Sequence, residues 1–327
     1  MAHTNVVTPG GVQPGDLEPY RRELTGYCYR MLGSGFEAED AVQETMLRGW
    51  RSSGQFEGRS SLRSWLYRIA TNVCLDMLKG SQRRAQPFEL GPSSPPRESS
   101  LASVLPENAW VSPIADARVV PEGGDPAEIA VVRDTIRLAF VTALQHLPPR
   151  QRAVLILCEV LRWQAAEVAQ LLGTTVAAVN SALQRARATL AALPADQRPD
   201  AVSADRAELL ARYVAAFESY DVTALVGLLH EDAVQTMPPY AMWLAGPADI
   251  GQWMLGPGRG CRGSRLLPTA ANGCPAFGQY RCDPDGGHKP WALQVLVISG
   301  GRISAINSFL ETETIFPAFG LPAHLPA

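Results

Sequence analysis

Apolar residues recur at intervals of three and four between positions 163 and 190, with one break at Gly173. This spacing predicts two amphipathic helices. Gly173 stands where the end of a helix needs a left-handed residue, and Thr174 or Thr175 can cap the helix that follows. The pattern therefore predicts a helix, a tight turn and a second helix.

The second of these helices has two unlike faces, since successive residues turn by about 100°. One stripe is apolar and consists of Val176, Val179, Leu183, Ala186 and Leu190. The opposite stripe is small or hydrogen-bonding: Ala177, Ser181, Gln184, Arg185 and Ala188, with Asn180 and Arg187 at its edges. Such a face fits the major groove of DNA, where Arg and Gln bind base edges. An ordinary helical hairpin is the alternative that the motif alone leaves open.

The same spacing predicts three helices nearer the N-terminus, over residues 20–32, 37–50 and 62–79. In the second of them, the core stripe is Ala38, Val42, Thr45, Met46 and Trp50. With this stripe in the core, Asp40, Glu44, Leu47 and Arg51 point outward. Acidic side chains repel DNA, so the outward face favours a protein partner with basic residues. A solvated face is the alternative.

The third of these helices combines aromatic residues with arginines. Leu62, Trp65, Leu66, Ile69, Val73 and Met77 are predicted on its core side, with Tyr67, Arg68, Thr71 and Cys74 further out. Its cationic neighbours are Arg59, Arg63, Lys79, Arg83 and Arg84, and a short loop over residues 56–61 precedes it. Rings that stack on bases and arginines that meet phosphates are typical of single-strand binding. For Trp65, core packing is the alternative.

Composition and length set the domain boundaries. The chain has 327 residues, 46% of them hydrophobic, and a net charge of −3. We expect a disordered N-terminus over 1–16, a helical unit over 17–85, a Pro-rich linker over 86–125, a second helical unit over 126–193 and a third unit over 205–327. Basic residues concentrate in the first two thirds, so any DNA footprint lies there. Apolar residues in the linker, Trp110 among them, suggest that part of it docks on a neighbour.

Other classes of protein find little support in the sequence. The six cysteines lack the paired spacing of zinc sites, so we expect reduced thiols and no metal. The first residues lack the pattern of a secretion signal, and no apolar run reaches membrane-spanning length. These features predict a cytoplasmic protein with no membrane contact.

The third unit is predicted to be an α+β cone, with helices followed by strands near residues 233–237, 272–280, 289–300 and 302–310. A candidate ligand pocket would be lined by Met237, Tyr240, Trp243, Trp253, Tyr280 and Trp291, with Phe277 beside them. Plain core packing is the alternative for these residues. Since His230, Asp232, Asp249 and His288 form no persuasive acid–base pair, no catalytic residue and no cofactor is predicted.

Three blocks of this sequence resemble a known family. The first is GYCYRMLGSGFEAEDAVQETMLRGWR, and the second is FEGRSSLRSWLYRIATNVCLDML. The third runs from HLPPRQRAVLIL through the second helix of the predicted helix-turn-helix. They resemble the extracytoplasmic-function, or group IV, sigma factors of the sigma-70 family. The resemblance implies two all-α modules that bind core RNA polymerase and promoter DNA. It implies that Asp40, Gln43, Glu44 and Leu47 meet the clamp helices of the β′ subunit, and that the second module meets the β flap.

The resemblance also implies two sets of DNA contacts. Capture and melting of the minus-ten element would fall to Phe56, Arg59, Ser60, Trp65, Arg68, Asn72, Arg83 and Arg84. Duplex reading of the minus-thirty-five element would fall to Thr175, Asn180, Ser181, Gln184, Arg185 and Arg187.

The third unit is similar to the SnoaL-like group of the nuclear-transport-factor-two superfamily. That similarity implies a domain that regulates the sigma modules by intramolecular contact, with an unknown small-molecule ligand as a candidate effector. A ligand-responsive helix-turn-helix repressor is one alternative, but it leaves the AEDAVQET block unexplained. A SnoaL-like isomerase or cyclase is another, and it needs a pocket acid or base that the sequence does not clearly supply.

Overall fold

The computed structural model describes residues 13–56, 58, 60–193 and 205–326, and these form two compact units. The helical unit holds the described residues of Met1–Arg83 and Ala117–Pro194. The sheet unit holds those of Arg84–Asp116 and Ala195–Ala327. Arg59, residues 1–12 of the predicted disordered N-terminus and the predicted break at 194–204 lie outside the described residues.

Helices build the first unit and flank the sheet of the second. In chain order they are α1 (Pro14–Leu17), α2 (Arg21–Leu32), α3 (Gly35–Arg51), α4 (Leu62–Met77), α5 (Pro87–Leu90), α6 (Asp116–Val119), α7 (Pro126–Thr135), α8 (Leu138–Gln145), α9 (Pro149–Leu155), α10 (Ala165–Leu172), α11 (Val176–Ala191), α12 (Asp205–Glu218), α13 (Val222–Gly227), α14 (Gly246–Leu255) and α15 (Thr312–Ala318). The predicted helices at 20–32, 37–50 and 62–79 correspond to α2, α3 and α4.

Helix α1 lies inside the segment predicted to be disordered. Pro14 occupies the first turn, where its missing N–H costs nothing, and the Asp16 carboxylate accepts a hydrogen bond from the Gln13 backbone N–H at 2.9 Å. Leu17 at the end of this helix is buried. We therefore correct the start of the helical unit to Pro14.

Helices α2, α3 and α4 pack around a tyrosine pair. The rings of Tyr27 and Tyr67 meet edge to face with centroids 5.2 Å apart, and the Tyr27 hydroxyl is 2.8 Å from the Thr71 hydroxyl. Tyr67, Thr71 and Cys74 are fully buried. The prediction that these three lie further out was wrong, because α2 and the Trp163 ring, 5.1 Å from Tyr67, cover that side of α4.

Two further core predictions were wrong in the same region. Trp50 and Met77 are exposed, with 52% and 36% of their surfaces accessible. In α3 the core stripe runs through Thr45 and Gly49, where a β-carbon would lie only 3.2 Å from the Leu66 side chain. Because the glycine fills the inward position, Trp50 is turned one step round the helix to the surface.

Two buried arginines join helices that are distant in sequence. Arg152 in α9 donates to the carbonyl of Met31 at the end of α2, and to Gln145 Oε1 at 2.6 Å. Arg30 in α2 donates to the carbonyl and the hydroxyl of Thr135 at 3.1 and 2.7 Å. Burial lowers the pKa of each guanidinium to about 10, because it removes the charge from water. Both therefore stay charged at neutral pH and depend on these hydrogen bonds.

The helix-turn-helix has the predicted local structure. Gly173 ends α10 in the left-handed conformation, with φ +62°. The Thr175 side chain caps α11 by accepting a hydrogen bond from the Ala178 backbone N–H at 3.2 Å. In α11 Val179 and Ala186 are buried, whereas Val176 is exposed because it lies in the first turn, beyond the reach of α10.

The sheet unit contains a six-stranded sheet in the order β2-β1-β6-β5-β4-β3. Its strands are β1 (Leu229–Thr236), β2 (Trp243–Ala245), β3 (Arg265–Ala271), β4 (Cys274–Cys282), β5 (His288–Ser299) and β6 (Arg302–Phe309). Strand β1 pairs with β6 in parallel, and the other pairs are antiparallel. Helices α12, α13 and α14 contribute Tyr213, Leu225 and Trp253 to the core, which gives the predicted α+β arrangement.

Much of the Pro-rich segment predicted as a linker packs into the sheet unit. Ala85 and Trp110 form a parallel β-bridge, and Trp110, Val111 and Ile114 are buried. The Ile114 backbone N–H donates to Asn272 Oδ1 at 3.1 Å. The apolar residues of this segment are therefore packed against the sheet unit. We correct the predicted boundaries accordingly: residues 84–116 group with the sheet unit and residues 117–125 with the helical unit.

Removal of the Arg152 side chain should strongly destabilise the helical unit. We expect Arg152→Met to lower the free energy of unfolding by about 2–4 kcal/mol, because buried carbonyl groups lose their donors. Urea denaturation followed by far-ultraviolet circular dichroism measures the change. The exposed neighbour Arg150 provides the control, since Arg150→Met should leave stability nearly unchanged. Equal effects of the two substitutions would contradict the role given to Arg152.

Candidate functional site

The outward side of α3 carries the acidic residues that the sequence predicted there. Asp40, Gln43 and Leu47 are exposed, and Glu44 is partly exposed. Glu44 accepts a hydrogen bond from the Arg48 guanidinium at 2.6 Å, one turn further along the helix. We call Asp40, Gln43, Glu44 and Leu47 the α3 face. It offers carboxylates around an apolar side chain, which suits a basic helical partner.

Trp50 extends this surface, although the apolar pattern placed it in the core stripe. Its side chain is exposed one turn beyond the α3 face. The signal that was available is Gly49, since a glycine within an amphipathic helix often marks a close helix contact. Such a contact takes the inward position and leaves the large neighbour outside.

The start of α4 holds a second group of predicted site residues. The Ser61 hydroxyl caps the helix by accepting a hydrogen bond from the Ser64 backbone N–H at 3.1 Å. The rings of Phe56 and Trp65 lie 5.2 Å apart, and both residues are partly exposed. Ser60 is partly exposed in the preceding loop, while Arg68 and Asn72 are exposed further along α4. The structure therefore gathers an aromatic pair, a hydroxyl and polar side chains along α4 and the loop before it.

The outer residues of α4 lie next to the first helix of the helix-turn-helix. Arg68 Nη2 donates to the Gln170 carbonyl in α10 at 3.4 Å. Beside it, Arg63 pairs with Glu23 at 3.0 Å and lies over the Trp163 ring, 5.4 Å from its centroid. The helix that carries most of the predicted minus-ten contacts thus packs against α10, the helix that precedes α11 in the helix-turn-helix.

The two arginines that follow α4 differ in environment. Arg83 is exposed and lies 2.7 Å from the His146 ring nitrogen Nε2. Arg84 is buried, and its guanidinium donates to the carbonyls of Glu107 and Trp110 at 3.1 and 2.8 Å. The prediction that Arg84 contacts DNA does not fit this arrangement, because its donors hold the backbone of the Pro-rich segment.

Helix α11 presents the predicted polar stripe to solvent. Thr175, Asn180, Ser181, Gln184, Arg185 and Arg187 are all exposed. Arg185 Nη1 donates to the Ser181 hydroxyl at 2.7 Å, which holds the guanidinium along the helix. Arg187 forms an ion pair with Glu159 in the turn after α9. The stripe thus has a pre-oriented arginine and a second arginine with an acidic partner.

The sheet unit encloses a cavity of about 200 Å³. Alternate residues of four neighbouring strands face it, as the two-residue period of a strand requires. These residues are Gln235 and Met237 from β1 and the turn after it, Ile306 and Ser308 from β6, Ala292 and Gln294 from β5, and Gln279 and Arg281 from β4. Phe217, Trp253 and Met254 cover it from the helices, and Leu101 from the Pro-rich segment.

The polar side chains of the cavity are held in fixed orientations. The Tyr213 hydroxyl donates to Gln294 Oε1 at 2.8 Å, and Gln294 Nε2 donates to Gln279 Oε1 at 2.9 Å. Burial raises the pKa of the Tyr213 phenol, so this hydroxyl stays protonated. The Arg281 guanidinium lies over the Trp291 ring, 3.3 Å from its centroid.

Four of the six residues predicted for a pocket line this cavity: Met237, Tyr240, Trp253 and Trp291. Trp243 and Tyr280 do not. The Trp243 indole N–H donates to the Gly91 carbonyl at 2.9 Å, and the Tyr280 hydroxyl donates to the Pro322 carbonyl at 2.9 Å, so both point to other contacts. Neither His230, Asp232, Asp249 nor His288 is among the lining residues. The described residues hold no cluster of side chains suited to a metal ion.

Comparisons with known proteins identify the family. Sigma-70 region 2 matches residues 17–84, and sigma-70 region 4 matches residues 137–190. The ECF RNA polymerase sigma factor SigG of Mycobacterium tuberculosis is 47% identical over 99% of this chain and 89% of its own length. The chain belongs to the ECF sigma factors.

Further similarity extends to the fold of the whole chain. SigJ of M. tuberculosis, another ECF sigma factor, is 30% identical over 69% of this sigma factor and 64% of its own length. A crystal structure of SigJ covers 95% of this chain and 100% of its own, with a TM-score of 0.61 at 22% identity. Two helical sigma modules and an α+β domain are therefore the predicted fold.

Family membership gives the helical unit its function. Region 2 comprises α2, α3 and α4, and region 4 comprises α8 to α11. The sigma factor binds core RNA polymerase and directs transcription initiation at promoters, as predicted, and nothing supports the repressor or isomerase alternatives. Among the described residues, no helix is long and apolar enough to cross a bilayer.

Release of Arg187 from Glu159 should strengthen promoter binding if Arg187 contacts DNA. We expect Glu159→Gln to tighten holoenzyme binding to a promoter fragment by about two- to threefold at low salt, because a negative charge near the phosphates is removed and a cation is freed. Fluorescence anisotropy of a labelled duplex measures the affinity. Glu128→Gln removes an exposed charge elsewhere on the helical unit and is the matched control. Unchanged or weaker binding by Glu159→Gln would contradict the role of Arg187.

Proposed function

We propose that the α3 face binds the clamp helices of the polymerase β′ subunit. The observation that carries this proposal is that Asp40, Gln43 and Leu47 are exposed, and Glu44 partly exposed, on one side of region 2. Acidic residues beside a DNA-binding helix repel DNA, so their presence is better explained by a basic protein partner. Region 4 would meet the β flap, and the sigma factor would act in the cytoplasm, where the polymerase transcribes the chromosome.

We propose that α4 and its preceding loop capture the minus-ten element as single strand. The partly exposed pair Phe56 and Trp65 offers stacking surface, Ser60 a hydroxyl, and Arg68, Asn72 and Arg83 polar or cationic groups. Arg59 lies outside the described residues and remains part of this proposal. Helix α11 would read the minus-thirty-five element through Ser181, Gln184, Arg185, Asn180, Arg187 and Thr175.

The compact helical unit would be a resting arrangement. Two promoter elements about 25 base pairs apart are separated by roughly 80 Å of duplex. Region 2 and region 4 touch through Arg68 and Gln170, and through Arg152 and Met31. Helices in contact cannot reach both elements at once, so these contacts would open when polymerase binds.

The SnoaL-like domain would regulate this transition without catalysing a reaction. Support comes from the chain path, because residues 84–116, between region 2 and region 4, belong to the sheet unit. The lining of the cavity includes none of the carboxylates or imidazoles that proton transfer usually needs.

Charge reversal on the α3 face tests the polymerase contact. We expect Asp40→Lys to weaken binding to core polymerase by about tenfold or more, since it places a cation before a basic partner. Leu47→Ser should also weaken binding through lost apolar contact. Surface plasmon resonance with immobilised core enzyme measures both.

The control for these variants is Glu128→Lys, an equal charge change on exposed α7. Circular dichroism should show the same helix content for all variants. Wild-type affinity for Asp40→Lys would remove the α3 face from the polymerase contact.

Loosening of the Pro-rich segment tests regulation. Asn272 has a positive φ of +56°, which glycine adopts without strain, so Asn272→Gly removes the acceptor for Ile114 while keeping the turn. We expect transcription from a mapped promoter to change by about twofold or more, because a lost hydrogen bond to a buried group costs about 1–3 kcal/mol. Asp285→Gly in the exposed turn before β5 is the control. Equal output from wild type and Asn272→Gly would argue against regulation through this segment.

A further inference from the structure

We propose that the cavity of the sheet unit is a receptor for a small aromatic carboxylate, whose carboxylate group binds Arg281. This inference deepens the regulatory role proposed for the SnoaL-like domain and rests on it. The ligand would bind without being transformed.

The size of the cavity limits the ligand to about one ring with short substituents. Its volume is about 200 Å³, and an engineered protein cavity of about 150 Å³ accepts benzene. Phe217 and Trp253 provide aromatic walls, against which a flat ring packs edge to face or offset.

The charge of the cavity favours an anion. Arg281 is the one cationic residue among the described lining residues, which include no Asp or Glu. No ion pair given for the described residues involves Arg281, whereas Arg265 pairs with Glu218 and Lys289 with Asp283 in the same unit. A neutralising partner for the guanidinium is therefore left for a ligand to supply.

The geometry of Arg281 leaves its hydrogen-bonding edge available. Stacking on Trp291 occupies the flat face of the guanidinium, and Nη2 donates to the Cys261 sulfur at 3.0 Å. The Nε–H group is buried and has no acceptor among the described residues. A planar guanidinium held by its face presents its in-plane N–H groups to a carboxylate, which can accept two of them.

A second polar group on the ligand would meet Gln235 and Ser308. These residues lie on β1 and β6, on the other side of β5 from Arg281 in β4. Both are buried, and no described residue hydrogen-bonds to the Gln235 amide or the Ser308 hydroxyl. A hydroxyl on the ring, opposite the carboxylate, would pair with these groups, because buried polar groups in proteins are generally hydrogen-bonded.

One wall of the cavity belongs to the chain that joins the two sigma regions. Leu101 reaches the cavity from the Pro-rich segment. Next to it, the Ala241 N–H donates to the Ser103 carbonyl at 2.9 Å, and Leu105 N–H to the Pro239 carbonyl at 3.0 Å. Tyr240, within this paired loop, also lines the cavity. A ligand would therefore touch the segment through which regulation is proposed.

Calorimetric titration of the full-length chain with four probes tests the assignment. The probes are 4-hydroxybenzoate, its neutral isostere 4-hydroxybenzamide, benzoate without the hydroxyl, and the cation tyramine. We expect 4-hydroxybenzoate to bind about tenfold or more tightly than the amide, because its hydrogen bonds to Arg281 are charge-assisted. Benzoate should bind more weakly than 4-hydroxybenzoate, and tyramine should not bind.

Variants locate the site. Arg281→Met should abolish the preference for the carboxylate over the amide. Arg281→Lys should keep part of it, because lysine retains the positive charge but lacks the paired planar N–H donors of a guanidinium. Gln235→Leu should reduce the advantage of 4-hydroxybenzoate over benzoate. Arg212→Met, which removes an exposed cation from α12, is the matched control and should bind as wild type does.

Several outcomes would overturn the proposal: equal binding of carboxylate and amide, an undiminished carboxylate preference in Arg281→Met, or no heat from any probe at millimolar concentration. Should Arg281→Met fail to fold, the wild-type comparison of carboxylate with amide and the Arg281→Lys variant decide. An altered promoter output in Asn272→Gly without binding of any probe would reject the ligand and leave the regulatory role standing.

Discussion

The buried guanidinium of Arg152 is the constraint on which the helical unit depends. A cation removed from water needs oxygen partners, and the two terminal nitrogens of Arg152 find them at the end of α2 and around the α8–α9 turn. Region 2 and region 4 are held in register by that demand. When the regions separate, water can replace the carbonyl partners and the charge is no longer buried. Such a contact favours the closed unit and is compatible with the opening proposed for polymerase binding.

Local structure could be predicted from the sequence wherever residues within a single segment determine it. Helices α2, α3, α4 and α11 follow from the spacing of apolar residues, and Gly173 and Thr175 follow from cap chemistry. The failures share one cause. Tyr67 is covered by Trp163 from region 4, and Trp50 is displaced by the close contact at Gly49. Contacts between segments far apart in the chain leave no periodic signal in either segment.

The lining of the cavity, too, could be predicted only in part. Its aromatic walls could be named in advance because Met237, Tyr240, Trp253 and Trp291 are large and apolar. Its polar residues could not be named in advance, although Gln279 and Arg281 stand two residues apart and so share a face of β4. Alternation identifies the face but not what covers it. Polar residues on a strand face usually meet solvent, and here Phe217 of α12 and Trp253 and Met254 of α14 turn this face into an interior.

The pairing of Ala85 with Trp110 has a consequence for the reach of the molecule. An extended chain spans at most about 3.3–3.6 Å for each residue, so the long Pro-rich segment has enough contour length to let region 2 and region 4 move far apart. The bridge closes that segment into a loop, and residues 86–109 then add nothing to the span. The separation open to the two regions is therefore shorter than the contour length of the segment would allow for as long as Ala85 stays paired with Trp110.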